Sequence, residues 1–138
     1  MNRHQVQLCS DHPTLLVFTA KQTCRHCQVV EPHIAQLIKD DVYTKEKFHG
    51  LGFHVKQFDT QDTYGRKFIH AFRVDRFPTF LVHCPVKEQN GMSNYRLFHY
   101  DEGRRTYDDL KNMVLRVHSS PFDDHYRIWK HVPNLVSS

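Results

Sequence analysis

The 138-residue chain has little of what marks several large protein classes. Its longest strongly apolar run, Leu15 to Phe18 with its neighbours, is far short of the roughly 20 residues that cross a bilayer, so no membrane span is expected. The opening MNRHQVQLCSDHP carries positive charge but no apolar segment behind it; any export signal is expected to have been removed or never to have existed. Five glycines and six prolines exclude collagen-like and low-complexity chains, while 39% hydrophobic and 25% charged residues exclude a disordered one. There is no GxGxxG, Walker loop, GxSxG or HExxH, so no cofactor is expected and a flavin or nicotinamide has no basis. Charge of one sign is also scarce. Nineteen Lys and Arg against fifteen Asp and Glu give +4 at pH 7, interspersed along the chain, and the cations near the C-terminus (Arg104, Arg105, Lys111, Arg116, Arg127, Lys130) alternate with carboxylates. A mixed solvated surface is expected, without a nucleic-acid partner.

What remains suits one soluble core, because 138 residues are too few for two ordinary domains. TLLVFTA (14–20) reads as a buried strand. Val30, Ile34, Leu37 and Ile38 then recur at helical spacing over 24–39, with Pro32 expected to bend the helix without ending it. The polar stretch 40–52 suggests a helix extension and loop. Phe53, Val55 and Phe58 mark a second strand, and 62–72 a short amphipathic helix in which Tyr64 and Phe68 are expected in the core.

Residues 77–83 (FPTFLVH) form a third strand entered through a proline. A turn is expected over 85–94, around Asn90-Gly91, and a returning strand over 95–100. Thr106 and Asp109 suggest a capping box for a last helix to about His118. The division is therefore a domain over 1–118 and an extension over 119–138, whose aromatics, including Trp129, are expected to pack back on the domain or on a partner.

The sharpest feature is Cys24-Arg25-His26-Cys27, placed where the first strand gives way to a helix. Unpaired backbone donors and the positive helix dipole at such a position stabilise a thiolate, which makes Cys24 the expected nucleophile. Cys27, one turn further in, is placed to close or resolve a disulfide. His26 adds positive character beside Cys24, favouring the reduced pair and hence an oxidising or isomerising poise. Arg25 is a candidate for steering substrate. Cys9 and Cys84 are expected as free buried thiols, with a pairing between them as the alternative.

The order of strand, CRHC at a helix start, Pro32 five residues on, and Phe77-Pro78-Thr79 opening a later strand resembles the thioredoxin fold over residues 6–118. The CRHC motif is similar to the active sites of protein disulfide isomerase domains. The resemblance implies an α/β fold with a central mixed sheet flanked by helices, a truncated N-terminal part and a C-terminal extension. It implies a cis Pro78 across from the cysteines, with Phe77 and Thr79 on a substrate-binding edge. It further implies a protein thiol-disulfide oxidoreductase or disulfide isomerase, a monomer, acting on protein or peptide thiols and disulfides with a separate redox-recycling partner. The motif points toward a secretory or extracytoplasmic compartment, the cytoplasm being the alternative. Two departures stand out: Thr23 replaces the usual tryptophan before the first cysteine, and Phe18 occupies the place of the buried acid.

Two other readings use the same residues. Structural zinc at Cys24, Cys27, His26 and His33 lacks a second compact ligand pair, so no metal is expected. A peptide-binding or chaperone adaptor with little turnover is the alternative function, favoured by the extension and the missing acid.

Overall fold

The protein is described here from a computed structural model, which covers residues 12–41, 52–87 and 89–131, together with the backbone of 6–8 and 135–137. In chain order the elements are β1 (Val6–Leu8), β2 (Thr14–Thr19), α1 (Arg25–Lys39), β3 (His54–Asp59), α2 (Thr63–Ala71), β4 (Thr79–Lys87), β5 (Ser93–Tyr100), α3 (Tyr107–Ser119), β6 (Arg127–Ile128) and β7 (Leu135–Ser137). Five strands form one sheet in the order β3-β2-β4-β5-β6, parallel between β2 and β3 and antiparallel elsewhere. The expected mixed sheet flanked by helices is thus the architecture.

All six residues of β2 are buried, as a central strand covered on both faces requires. Alternation then sorts them. Leu15 and Val17 join Phe80 and Val82 beneath α1 and α3, which contribute Val30, Ile34 and Leu37, and Leu110, Met113, Val114 and Val117. Leu16 and Phe18 face the other way, into Phe58, Phe68, Phe72, Leu81 and Leu97. Burying each such Leu or Phe contributes roughly 1.5–3 kcal/mol, so these two layers hold the strand ends that carry the chemistry.

Helix α2 starts hard against the end of β3. A Cβ at Gly65 would collide with the Asp59 backbone, which makes glycine necessary at that contact. Helix α1 runs uninterrupted from Arg25 to Lys39 through Pro32, which costs it one backbone donor. The capping box at α3 is present in full: Thr106 Oγ1 accepts from Asp109 N–H, and the Asp109 carboxylate accepts from Thr106 N–H.

Several expectations need correction. The turn expected over 85–94 is much shorter, because β4 runs through Pro85 to Lys87 and β5 begins at Ser93, with Pro85 opposite Tyr95. Pairing between β2 and β4 reaches only His83, so beyond it β4 has one described neighbour and tolerates a residue without an N–H. Tyr64, expected in the core, is exposed and sets its ring edge-on against Phe68 at 4.7 Å. Before β2 the chain also forms a strand, β1, which pairs in parallel with β7. Most of the expected helix extension over 40–52 lies outside the described residues.

Candidate active site

The loop between β2 and α1 places both cysteines at the C-terminal edge of the sheet. Thr23 and Cys24 donate their N–H groups to Ala20 O at 3.1 and 2.8 Å, closing a tight turn that delivers Cys24 as the N-cap of α1. Cys27 N–H donates to Cys24 Sγ at 3.1 Å, so the sulfur occupies the position of a capping oxygen and one of the orphan helix donors is spent on it. Cys24 and Cys27 form a disulfide with a Cα–Cα distance of 5.2 Å.

Their environments differ. Cys24 is half-exposed, and its sulfur lies 3.4 Å from Phe77 O. Cys27 is fully buried, with Ala20 N–H directed at its Sγ from 3.5 Å. Solvent therefore reaches the Cys24 side of the disulfide and not Cys27.

The Phe77–Pro78 peptide is cis. Pro78 is buried and Phe77 half-buried, and Thr79 Oγ1 donates to Arg76 O at 2.6 Å, fixing the approach to β4. His26 is exposed on the first turn of α1 and lines a groove of about 1160 Å³ together with Phe77, Pro78 and Thr79. Arg25 is exposed, but does not line that groove.

Phe18 fills its position as a hydrocarbon, stacked on Phe58 at 5.2 Å and tilted against Phe72 at 5.4 Å. The nearby acids sit in a polar web between β2, β3 and α1. Thr19 Oγ1 donates to Asp59 Oδ1 at 2.6 Å, Lys21 N–H donates to the same oxygen at 3.0 Å, and Gln57 Nε2 donates to Glu31 Oε2 at 3.0 Å. Burial pushes the Asp59 carboxyl up, but the Thr19 hydroxyl and the Lys21 and Gln61 N–H groups outweigh it and hold it below the ordinary carboxylate value. It remains ionised and hydrogen-bonded at neutral pH.

Among the described residues no group of three His, Cys, Asp or Glu side chains is placed to hold a metal. His33, the fourth member of the zinc reading, accepts from Tyr107 N–H through Nδ1 at 3.0 Å, which ties it to α3. Cys84 is a free buried thiol; burial pushes it up to about 11, which leaves it almost wholly protonated at neutral pH. Cys9 lies outside the described residues. No described helix is long and apolar enough to cross a membrane.

No family model and no curated protein matches this sequence. Solved structures do. The zinc-bound form of human ERp44 superposes with a TM-score of 0.51, at 20% identity, over 81% of this chain and 28% of that one. The chain has the thioredoxin fold. A solution structure of a thioredoxin from Thermus thermophilus matches with a TM-score of 0.49 at 14% identity, covering 90% of this chain and 97% of that one. The chain spans little more than a quarter of the ERp44 chain, at 28%.

On this thioredoxin fold, one feature of the groove escaped the linear reading. Arg73 and Arg76 precede β4, Arg105 follows β5, and Arg127 and Lys130 come from the extension, yet all five line the same groove. Spread over residues 73–130, they read in sequence as ordinary surface charge. The extension reaches the groove because β6 adds to the sheet edge, with Trp129 N–H donating to Leu97 O at 2.8 Å and Trp129 Nε1–H to Phe72 O at 2.9 Å.

Proposed function

We propose that the protein is a thiol-disulfide oxidoreductase that exchanges disulfides with protein or peptide substrates through Cys24 and Cys27, working as an oxidant or isomerase. The observation that carries this reading is the asymmetry of the pair: a half-exposed Cys24 sulfur capping a helix N-terminus, bonded to a Cys27 with no exposure.

In the oxidising direction, a substrate thiolate attacks Cys24 Sγ. The Cys24–Cys27 bond breaks, its electron pair leaves on Cys27, and a substrate–Cys24 mixed disulfide forms. A second substrate thiolate then attacks the substrate sulfur and expels Cys24 as a thiolate, a leaving group stabilised by the Cys27 N–H and the dipole of α1. Two electrons have passed from substrate to pair, and a disulfide donor must take them off again. In the isomerising direction the Cys24 thiolate attacks first, and Cys27 releases the mixed disulfide if rearrangement stalls.

The remaining roles follow position. Pro78 and the Phe77 backbone form the edge beside Cys24 on which a substrate chain lies, with Thr79 bracing that edge through Arg76 O. His26 contributes positive character at the rim when protonated, and Arg25 a second exposed cation near the same turn. Phe18 supports the oxidant assignment, because it offers Cys27 no proton acceptor for the attack that a reductase requires.

Cys27→Ala tests the mechanism. The variant's Cys24 thiolate should attack a disulfide-bonded peptide, expel its other sulfur as a thiolate and accumulate as a mixed disulfide, visible as a mass shift reversed by reductant. A Cys27→Ala protein that traps nothing, with Cys24 free to alkylation, would leave the fold as a peptide-binding module without exchange chemistry.

A further inference from the structure

Five cations and two carboxylates line the groove beside Pro78, a ratio well above the nineteen to fifteen of the whole chain. Of the two carboxylates, Asp101 is already matched, its Oδ2 lying 2.6 Å from Arg127 Nη2. That leaves Arg73, Arg76, Arg105 and Lys130 facing Asp75. Among the described residues none of those four forms an ion pair. Arg105 is held over the Phe80 ring at 5.8 Å, with its Nε–H directed at Glu102 O from 3.3 Å. His99 adds no charge, because burial holds its imidazole below the ordinary value.

Arg73 gives a second, independent observation. Helix α2 ends in a Schellman motif: Val74 N–H donates to Ile69 O and Arg73 N–H to His70 O, each at 3.0 Å. The motif requires a left-handed residue at the position Arg73 occupies, and its φ is +56°. Glycine takes that conformation without strain, whereas a side chain does so at a cost. A cation is kept where the backbone favours none, and it is a cation that lines the groove. Strain held at one residue is explained when the side chain serves a ligand.

We propose that this groove selects polypeptide substrates carrying Asp or Glu next to the reacting cysteine. The inference rests on the exchange reading above and narrows its substrate class. A peptide laid along the Phe77–Pro78 edge with its sulfur at Cys24 runs into the groove that Arg73, Arg76, Arg105 and Lys130 line. Carboxylates there gain Coulomb attraction and faster encounter, and cations are repelled. A peptide occupant fits better than a nucleic acid, because the groove opens beside a redox sulfur and a backbone edge, and only a peptide uses both.

The test uses the full chain and three dithiol peptides of one length, with the cysteines flanked by acidic, neutral or basic residues. In single-turnover oxidation by the disulfide-bonded protein, the expected order of second-order rate constants is acidic, neutral, basic, with the acidic-to-neutral ratio about tenfold at low salt and falling toward unity in ~0.5 M salt. Arg73→Gly, which relieves the strained backbone, should lower that ratio about threefold without loss of folding. Arg73→Gly combined with Arg76→Gln and Lys130→Gln should bring it to unity. Equal rates for all three peptides, or a basic preference, would overturn the proposal while leaving exchange intact. No reaction with any peptide would remove the exchange reading and this inference with it. Salt-sensitive binding of single-stranded nucleic acid that blocks acidic-peptide exchange would assign the groove to a different partner and overturn it too.

Discussion

His83 shows how far a single side chain can run against its surroundings. It is fully buried on β4, stacked on Tyr95 at 4.7 Å, and among the described residues neither ring nitrogen has a hydrogen-bond partner. Burial pushes its imidazole down to about 4 from an ordinary 6.5. Protonation is therefore easier in the unfolded chain, so the folded state has its full stability above pH 6.5 and loses it as the pH falls toward 4. The loss is on the order of 3 kcal/mol. His83→Phe keeps the ring stack and removes two unpaired polar atoms, so the variant should be more stable and should lose less stability between pH 6.5 and 4. Urea unfolding at several pH values measures both; parallel acid limbs for the two proteins would refute the assignment. At the same scale the sequence showed Cys24 and Cys27 clearly, because a CxxC at a strand-to-helix junction is a local pattern. It hid Arg73, whose meaning depends on a backbone angle and on a groove built from distant segments.

At the level of elements, helices were the more legible. The spacing of Val30, Ile34 and Leu37 locates α1, and Leu110, Met113, Val114 and Val117 locate α3, because one apolar stripe repeats over several turns. Strand limits were less so. Pro85 suggested a turn, yet it lies inside β4, at a place where only β5 borders the strand. Strands β1 and β7 could not be found from pattern at all: each has three residues, and they pair across nearly the whole chain. The capping box of α3 gives this scale its prediction. Thr106→Ala removes the hydroxyl that accepts from Asp109 N–H and should cost about 1 kcal/mol, read as a lower urea midpoint with unchanged m-value. Thr106→Ser should recover most of it. An unaltered midpoint for the alanine variant would mean that the box contributes nothing to stability.

For the molecule as a whole, we propose residues 1–118 as the domain and 119–138 as an extension, of which the described residues up to 131 are anchored on the sheet by Trp129. Its indole joins the cluster around Leu16, Phe18 and Leu97, and its Nε1–H satisfies Phe72 O at the end of α2. Trp129→Ala should therefore cost about 2 kcal/mol in urea unfolding, below the ~3–5 of a fully buried aromatic because the residue is half-buried. A loss under about 0.5 kcal/mol, the scale of a surface change, would contradict this anchoring. The same extension supplies Arg127 and Lys130 to the groove, so the acidic-substrate selection proposed above depends on its docking.

The central claim is that Cys24 and Cys27 form a reversible, oxidising two-electron couple. Equilibration of the full chain in glutathione buffers, followed by quenching and counting of alkylated thiols, tests it most directly. A single two-electron transition between roughly −200 and −120 mV, abolished by replacing either cysteine, is the predicted result. A midpoint near thioredoxin's ~−270 mV would contradict the oxidising poise, and a pair that stays disulfide-bonded throughout would contradict the exchange mechanism.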